Sequence, residues 1–533
     1  MNRRDFIRSG VVAAAGLGAV VRAESEKRTK VPETLACDVF VYGSTPGGVA
    51  AAVEAARGGA KVVLACPKNH PGGMAASGLC TTDAVRREMF GGLVIEFIDR
   101  VRAIYGRTIG RDSPEWPLIR DGWFYAPSVA EQAFHELLEA EAERIDYRRR
   151  HELVAVRVDG ARIAEATIED SEGRKLCIAA RTFIDGTYEG DLADAAGVPY
   201  RVGREGREEF GEPLAGIHYM NFRTGQQIVT PDTGEPSPAI QAFCARCVLT
   251  DDPANRLPIE KPATYEEHLP DFEPLLADFA SGRIKSWMSG VRLPGGKREF
   301  NGHIEWLTSL NCPGVSWAWP EAGRRHRARL EQFHVDHAAG MFWFLQNDPR
   351  VPSAIREQVE ALGLDRREFA DNGHWPWQIY VRQGRRIEGR ARVTQHHFTV
   401  DPKTGRTPRV PQAIAVGEHS FDVHPCHDRR FAVDGFMEGV LWYPKKALGP
   451  AQPGQVPYGA MVPQTIDNLL VPVALSSTHV AMSVLRMEPV WITTGQIAGR
   501  AALEARDQHL DVAQIDPEPL PGMLKIKVDP YQS

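Results

Sequence analysis

Residues 37–48, Cys37-Asp38-Val39-Phe40-Val41-Tyr42-Gly43-Ser44-Thr45-Pro46-Gly47-Gly48, decide the fold. The first six read as a short buried strand, and Gly43 opens a glycine turn. Val49 to Arg57 is alanine-rich and helical, Gly58-Gly59 ends it, and Lys61 to Ala65 gives a second strand. Strand, glycine turn, helix and strand in so short a span suits nucleotide binding. Glycine lets the backbone turn tightly against a pyrophosphate, whose charge then faces the positive end of the helix. Two positions depart from that pattern. Thr45 stands where a second glycine is expected, so its Cβ holds a phosphate further off while its hydroxyl offers a donor. Cys66 stands where an acidic residue would bind ribose hydroxyls. On these residues alone, a plain structural strand–turn–helix stays open.

Working outward, a second glycine cluster, Gly72-Gly73-Met74-Ala75-Ala76-Ser77-Gly78, closely follows the second strand. Leu153–Val158, Ile163–Ile168 and Leu176–Ala180 alternate apolar and polar residues around Asp159-Gly160 and Ser171-Glu172-Gly173, which predicts a three-stranded meander. Thr182 to Ile184 reads as a further buried strand ending in Asp185-Gly186-Thr187, with Gly190-Asp191-Leu192 after it. A glycine-loop strand, a meander and a returning strand with its own turn form the arrangement of flavin-binding two-dinucleotide folds. The expected class is therefore α/β: an FAD-binding Rossmann-like domain with a β-meander, plus a large inserted α+β substrate domain. The boundaries expected are 36–200 and 441–507 for the two parts of the FAD-binding domain, 201–440 for the insert and 508–533 for a tail. From about Tyr200 to Trp442 the chain has long loops, many prolines and eight of the eleven tryptophans. Asp467 to Leu475 reads as a strand, and Val490 to Ala505 as a helix with Gly495 and Gln496 near its start.

Composition narrows the function. The 63 basic and 69 acidic side chains give −6, which argues against a nucleic-acid binder. The longest apolar run, Val11 to Val21, is far short of the roughly 20 residues that span a bilayer. Behind Arg3-Arg4 that run predicts a twin-arginine signal peptide over 1–23 and export to the periplasm; a Sec signal or a frayed terminus is the bland alternative. Proteins exported folded carry cofactors loaded beforehand. The eight scattered cysteines are no dense disulfide framework, and Cys244-Ala245-Arg246-Cys247 reads as free or paired thiols before it reads as zinc. His334 and His337 share a helical face without a third ligand in view, so no metal is assigned.

Tyr42 to Gly48, His70-Pro71-Gly72-Gly73-Met74, Asp185-Gly186-Thr187 with Gly190-Asp191-Leu192, and Ser477-Thr478-His479 with Arg486-Met487-Glu488-Pro489 and Gly495-Gln496 together resemble a family. It is the bacterial FAD-dependent oxidoreductases of glutathione-reductase-type fold, some exported and some labelled xanthan-lyase-like. The resemblance implies bound FAD and a link to glycan breakdown. It implies Gly43, Thr45, Pro46 and Gly48 around the pyrophosphate, and Cys66 and Lys68 near the adenosine ribose. Gly72, Gly73 and Met74 would line the ribityl region, with Ser77 and Gly78 nearer the ring. Leu153 would meet the adenine through its backbone, and Gly186 and Asp191 would close the site. Gly495 and Gln496 would begin a helix aimed at the flavin pyrimidine edge.

The expected chemistry is hydride transfer from an alcohol carbon of a sugar or glycan-derived substrate to flavin, with His479 taking the hydroxyl proton. Arg486 would hold a substrate oxygen or pair with Glu488. Arg385, Arg386, His424 and His427 are further candidates. Trp317, Trp319, Trp375, Trp377 and Trp442 suit sugar stacking or simply the core. A flavin-containing lyase or isomerase without net redox change is the alternative, and a glycan-binding module that has lost FAD is a third. Oligomeric state and electron acceptor are not legible.

Overall fold

The computed structural model describes residues 33–221, 226–227, 233–287, 290–303, 308–427, 436–442 and 451–531. The expected signal peptide, 1–23, lies outside them. Thr34–Ser533 forms one compact unit, and no helix among the described residues is long and apolar enough to cross a membrane.

The organising element is a seven-stranded sheet. Its strands are β1 (Glu33–Tyr42), β2 (Val62–Cys66), β3 (Ile145–Arg149), β4 (His151–Asp159), β5 (Arg162–Asp170), β6 (Lys175–Asp185) and β7 (Leu469–Leu470). The order is β3-β2-β1-β6-β5-β4, with β7 also pairing β6. β1, β2 and β3 run parallel, with Val41 opposite Leu64 and Leu64 opposite Tyr147, while β4, β5 and β6 form the antiparallel meander. Both faces of β1 are covered. Phe40 and Tyr42 pack with Val63 and Phe183 on one side, and Val39 and Val41 with Val49 and Leu64 on the other. That two-sided burial explains why the strand reads as an unbroken apolar run.

The expected third meander strand and the returning strand are one element, the 11-residue β6. Ala179 to Thr182 contains no turn residue, so the chain stays extended. The first half of β6 pairs antiparallel with β5 through Ile178, and its end pairs parallel with β7 at Phe183 and Ile184. Only Leu469–Leu470 of the expected 467–475 strand joins the sheet. Pro472 has no N–H to continue a ladder.

Helix α1 (Pro46–Arg57) starts three residues earlier than its alanines suggest, because Thr45 caps it and Pro46 suits the first turn. Helices α2 (Gly92–Thr108) and α3 (Pro127–Glu139) pack beside it, and α4 (Arg324–Asn347) is the long helix of the central segment. α5 (His479–Leu485) is capped by Thr478, whose hydroxyl accepts from Ala481 N–H. α6 spans Glu488–Gln508 and lies along α1. The central segment adds an antiparallel five-stranded sheet including 247–250 and 297–300.

Candidate functional site

At the carboxyl ends of β1 and β6 three backbones converge. Gly43 has φ +101°, and a Cβ there would sit 2.7 Å from the Gly186 carbonyl carbon; one on Gly48 would sit 1.9 Å from the Gly43 oxygen. No side chain fits at either position. The Gly186 N–H donates to Tyr42 O at 2.7 Å and locks the strand ends together. Thr45 differs from expectation: its hydroxyl donates to Gly186 O at 2.6 Å and accepts from Gly48 N–H at 3.2 Å. It is the clasp of the turn, so its proton is not on offer to a phosphate.

A groove of about 540 Å³ opens over this junction, lined by Gly43, Thr45, Cys66, Lys68, Gly73, Leu153 and Asp191 of the expected residues, and by Tyr188, Trp319, Trp377, Arg327 and Arg385. Cys66 ends β2 with a free, buried thiol. Lys68 Nζ donates to Glu331 at 2.5 Å and to Trp377 O at 3.1 Å. Glu152 and Glu331 line the same groove, so carboxylates stand there although the motif position itself has none. The Leu153 N–H is taken by the Tyr42 hydroxyl oxygen at 3.0 Å. Asp191 accepts both terminal nitrogens of Arg327, at 2.7 and 2.9 Å, and Arg385 Nη1 at 3.0 Å. Arg385 is thus a buried wall of the groove.

Pro46, Gly48 and Gly186 support the groove from beneath. Met74 and Ser77 run under the segment 377–382, where Ser77 Oγ accepts from Gln378 N–H at 2.9 Å and Val381 N–H reaches Met74 Sδ at 3.1 Å, while Gly72 packs on Phe134 and Gly78 on the Arg246 backbone. Gly73 lies against Tyr188, whose hydroxyl accepts from Met74 N–H at 2.9 Å and donates to Glu488 at 2.8 Å. Burial pushes the Glu488 carboxyl up to about 8, so it is protonated at neutral pH.

Gly495 and Gln496 are placed elsewhere. α6 begins at Glu488, which puts both two turns inside the helix. Gly495 faces Gly47, where a Cβ would come within 2.0 Å of its oxygen, and so lets α6 cross α1 closely. Gln496 accepts from Leu93 N–H at 2.8 Å and donates to Glu54 at 3.0 Å. The two chain ends do fold together, but these residues hold helices, and neither lines the groove.

His479 starts α5 and is buried. Its Nδ1 meets Gln383 Oε1 at 2.8 Å, its N–H donates to Glu205 at 2.8 Å, and its Nε2 has no partner. Burial, then Arg204 and Arg386, hold it well below the usual imidazole range. Arg486 donates to Asp422 at 2.8 Å and to the Tyr380 hydroxyl at 3.2 Å, not to Glu488. Arg386 pairs with Glu205 at 2.7 Å. His424 takes the Asn311 amide at 3.0 Å, and His427 packs edge-on to Trp317. Trp319 donates to Glu189 at 2.9 Å and Trp377 stacks on His70. Trp317 donates to Cys426 O, Trp375 is half-buried, and the Trp442 side chain lies outside the described residues.

His334 is a packing residue bonded to Leu330 O at 2.6 Å. His337 instead meets His268 and Asp271, with ligand atoms within 4.8 Å of one another. Cys244 and Cys247 are free thiols. Sequence reading missed Tyr188, Glu488, Tyr380, Arg246 and Arg382; the one local signal was Glu488 within Arg486-Met487-Glu488-Pro489.

The model of the family described as FAD dependent oxidoreductase matches residues 38–524. The chain belongs to that family. It is an FAD-dependent oxidoreductase, and the Gly43–Gly48–Gly186 cradle, where any Cβ would fill the space, fits the nucleotide. No curated protein matches it. Among solved structures it is similar to a geranylgeranyl bacteriochlorophyll reductase-like protein from Thermoplasma acidophilum (10% identity, 92% of this chain and 84% of that one, TM-score 0.35). It is also similar to a flavoprotein/dehydrogenase from Cytophaga hutchinsonii (19%, 35% and 46%, TM-score 0.23) and to L-proline dehydrogenase from P. horikoshii (13%, 35% and 27%, TM-score 0.20). The chain spans less than half the length of the latter two, and likenesses this remote carry no argument about chemistry.

Proposed function

We propose that this FAD-dependent oxidoreductase dehydrogenates an alcohol carbon of a sugar or glycan-derived substrate. Bound FAD supplies the hydride acceptor. The observation that carries the reading is the hydrogen bond between Gln383 and His479. Gln383 Nε2 donates to Gly203 O at 3.1 Å, which turns Gln383 Oε1 toward His479 Nδ1. An amide oxygen only accepts, so Nδ1 carries the proton and Nε2 keeps a bare lone pair. Burial, then the guanidiniums of Arg204 and Arg386, hold the ring neutral, so the Nε2 lone pair is free at neutral pH. Gln383 belongs to the same segment as Gln378 and Arg385, which line the groove.

Anaerobic mixing with a panel of sugars and polyols tests the reading: a true substrate bleaches the flavin, and His479→Ala slows the bleaching. Unsaturated product formed with the flavin still oxidised would instead mark a lyase. Export by the twin-arginine pathway belongs to the same proposal, supported by Arg3-Arg4 ahead of Val11–Val21. Sequencing the N-terminus of the fractionated protein tests it.

A further inference from the structure

Behind the groove, three guanidiniums surround one aromatic ring. Arg246, Arg382 and Arg486 place their guanidinium carbons 4.9, 4.8 and 5.8 Å from the Tyr380 ring centre. All three arginines are buried, at 3%, 1% and 2% exposure. Buried charges are normally paired, because taking an ion out of water is expensive. Arg246 has Glu299 at 2.7 Å and Arg486 has Asp422 at 2.8 Å. Among the described residues Arg382 has no carboxylate partner. Its contacts are Ala242 O, the Cys244 sulfur at 3.5 Å and Asn301 Oδ1 at 3.3 Å. One positive charge is therefore left over in the interior. Asp83 acts on the cluster from the half-exposed side without an ion-pair partner, and water screens it there.

The unpartnered atoms describe what is missing. Arg246 Nη1, Arg382 Nε and Arg486 Nε are buried donors with no acceptor. Asn311 Oδ1 is a buried acceptor with no donor, and Asp422 Oδ1 has only His424 Nε2, at 3.6 Å, beyond hydrogen-bond distance. Asn311 is tied to this place through His424, which the same three guanidiniums face. An anion would satisfy the donors, and hydroxyl groups beside it would satisfy the acceptors. A surplus of one charge matches a carboxylate better than a phosphate dianion, and a planar carboxylate matches guanidinium donors.

We propose that Arg246, Arg382 and Arg486 form a binding pocket for the carboxylate of a polyhydroxy acid, with Asn311 and Asp422 taking its neighbouring hydroxyls. This rests on the reading of the protein as a dehydrogenase of sugar-type alcohols and narrows its substrate to sugar acids. Arg382 supplies the uncompensated charge and so discriminates acid from neutral sugar.

The test uses the purified holoprotein titrated with D-gluconate, D-glucuronate and glycolate, and with D-glucitol, methyl glucoside and ethylene glycol as neutral counterparts. The thermal midpoint and the flavin absorbance are the readouts. At least one carboxylate is expected to raise the midpoint saturably, its neutral counterpart to leave it unmoved, and sulfate to do no more than matched chloride. Arg382→Gln should weaken the carboxylate response about 30-fold or more. Without ligand, Arg382→Met should raise the midpoint, because it removes a buried charge that no carboxylate among the described residues pairs with. Equal responses to acids and neutral sugars, an unchanged response in Arg382→Gln, or a lower unliganded midpoint in Arg382→Met would each overturn the pocket. Carboxylate binding that never bleaches the flavin keeps the pocket and removes the dehydrogenase reading. Bleaching by neutral sugars with no carboxylate effect does the reverse.

Discussion

Replacing Glu488 by glutamine should stabilise the protein, by an amount that grows with pH. Glu488 is buried at the start of α6, accepts from the Tyr188 hydroxyl at 2.8 Å, and leaves its second oxygen unpartnered. Burial raises its carboxyl from 4.5 to about 8. At pH 7 the unfolded chain carries it ionised and the folded chain carries it protonated, so folding must take up a proton. At roughly 1.4 kcal/mol per pH unit above 4.5, that uptake costs about 3 kcal/mol at pH 7. A group raised in this way contributes fully below its unfolded value and loses that contribution as pH climbs to the folded value. Glutamine is neutral throughout and still offers Tyr188 an acceptor. The advantage of Glu488→Gln should thus be near zero at pH 4.5, grow by about 1.4 kcal/mol per unit, and level off above pH 8. With an unfolding entropy near 2.1 cal/mol/K per residue over this unit, each kcal/mol moves the midpoint by about 1 °C. A gain of about 3 °C at pH 7 is expected in melts run from pH 5 to 8.5. A pH-independent difference, or a variant that loses ground as pH rises, would refute the reasoning.

The imidazole of His479 is held well below its usual 6.5, so the rate of flavin reduction should show no limb near 6.5, and a titration centred there would argue against His479 as the base. His479→Ala should slow reduction by about 10²- to 10⁴-fold with flavin content unchanged, measured by anaerobic stopped flow. Gln496→Ala should cost about 1–3 kcal/mol in denaturant melts, because Leu93 N–H loses its buried acceptor. The same variant should reduce its flavin at the wild-type rate once folded, since Gln496 lies outside the groove.

The nucleotide-binding core was legible because its signals are local. The apolar run of β1, the glycines at 43 and 48 and the turn at Asp185-Gly186 each act within a few residues, and they meet in one cradle. Element ends were less legible: Pro489 looks like a break before α6 but suits a first helical turn, so the start slid to Glu488 and carried Gln496 away from the flavin side. Side-chain partnerships were the least legible. Gln496 and Glu54 are 442 positions apart, and Arg382 finds Ala242 across 140. No spacing rule encodes such contacts, so Thr45 as a clasp, Arg385 as a groove wall and the three guanidiniums around Tyr380 appear only once the chain is folded.

The central claim is that FAD is held where Gly43, Gly48 and Gly186 press together. The most direct measurement is the flavin-to-chain ratio of the purified protein, read from its absorbance before and after denaturation, for wild type and Gly48→Ala. The account predicts about one FAD per wild-type chain. It predicts a folded fraction of the variant stripped of colour, because the new Cβ would stand 1.9 Å from the Gly43 oxygen. Colourless wild-type protein, or a variant that keeps its full complement of FAD, would contradict it.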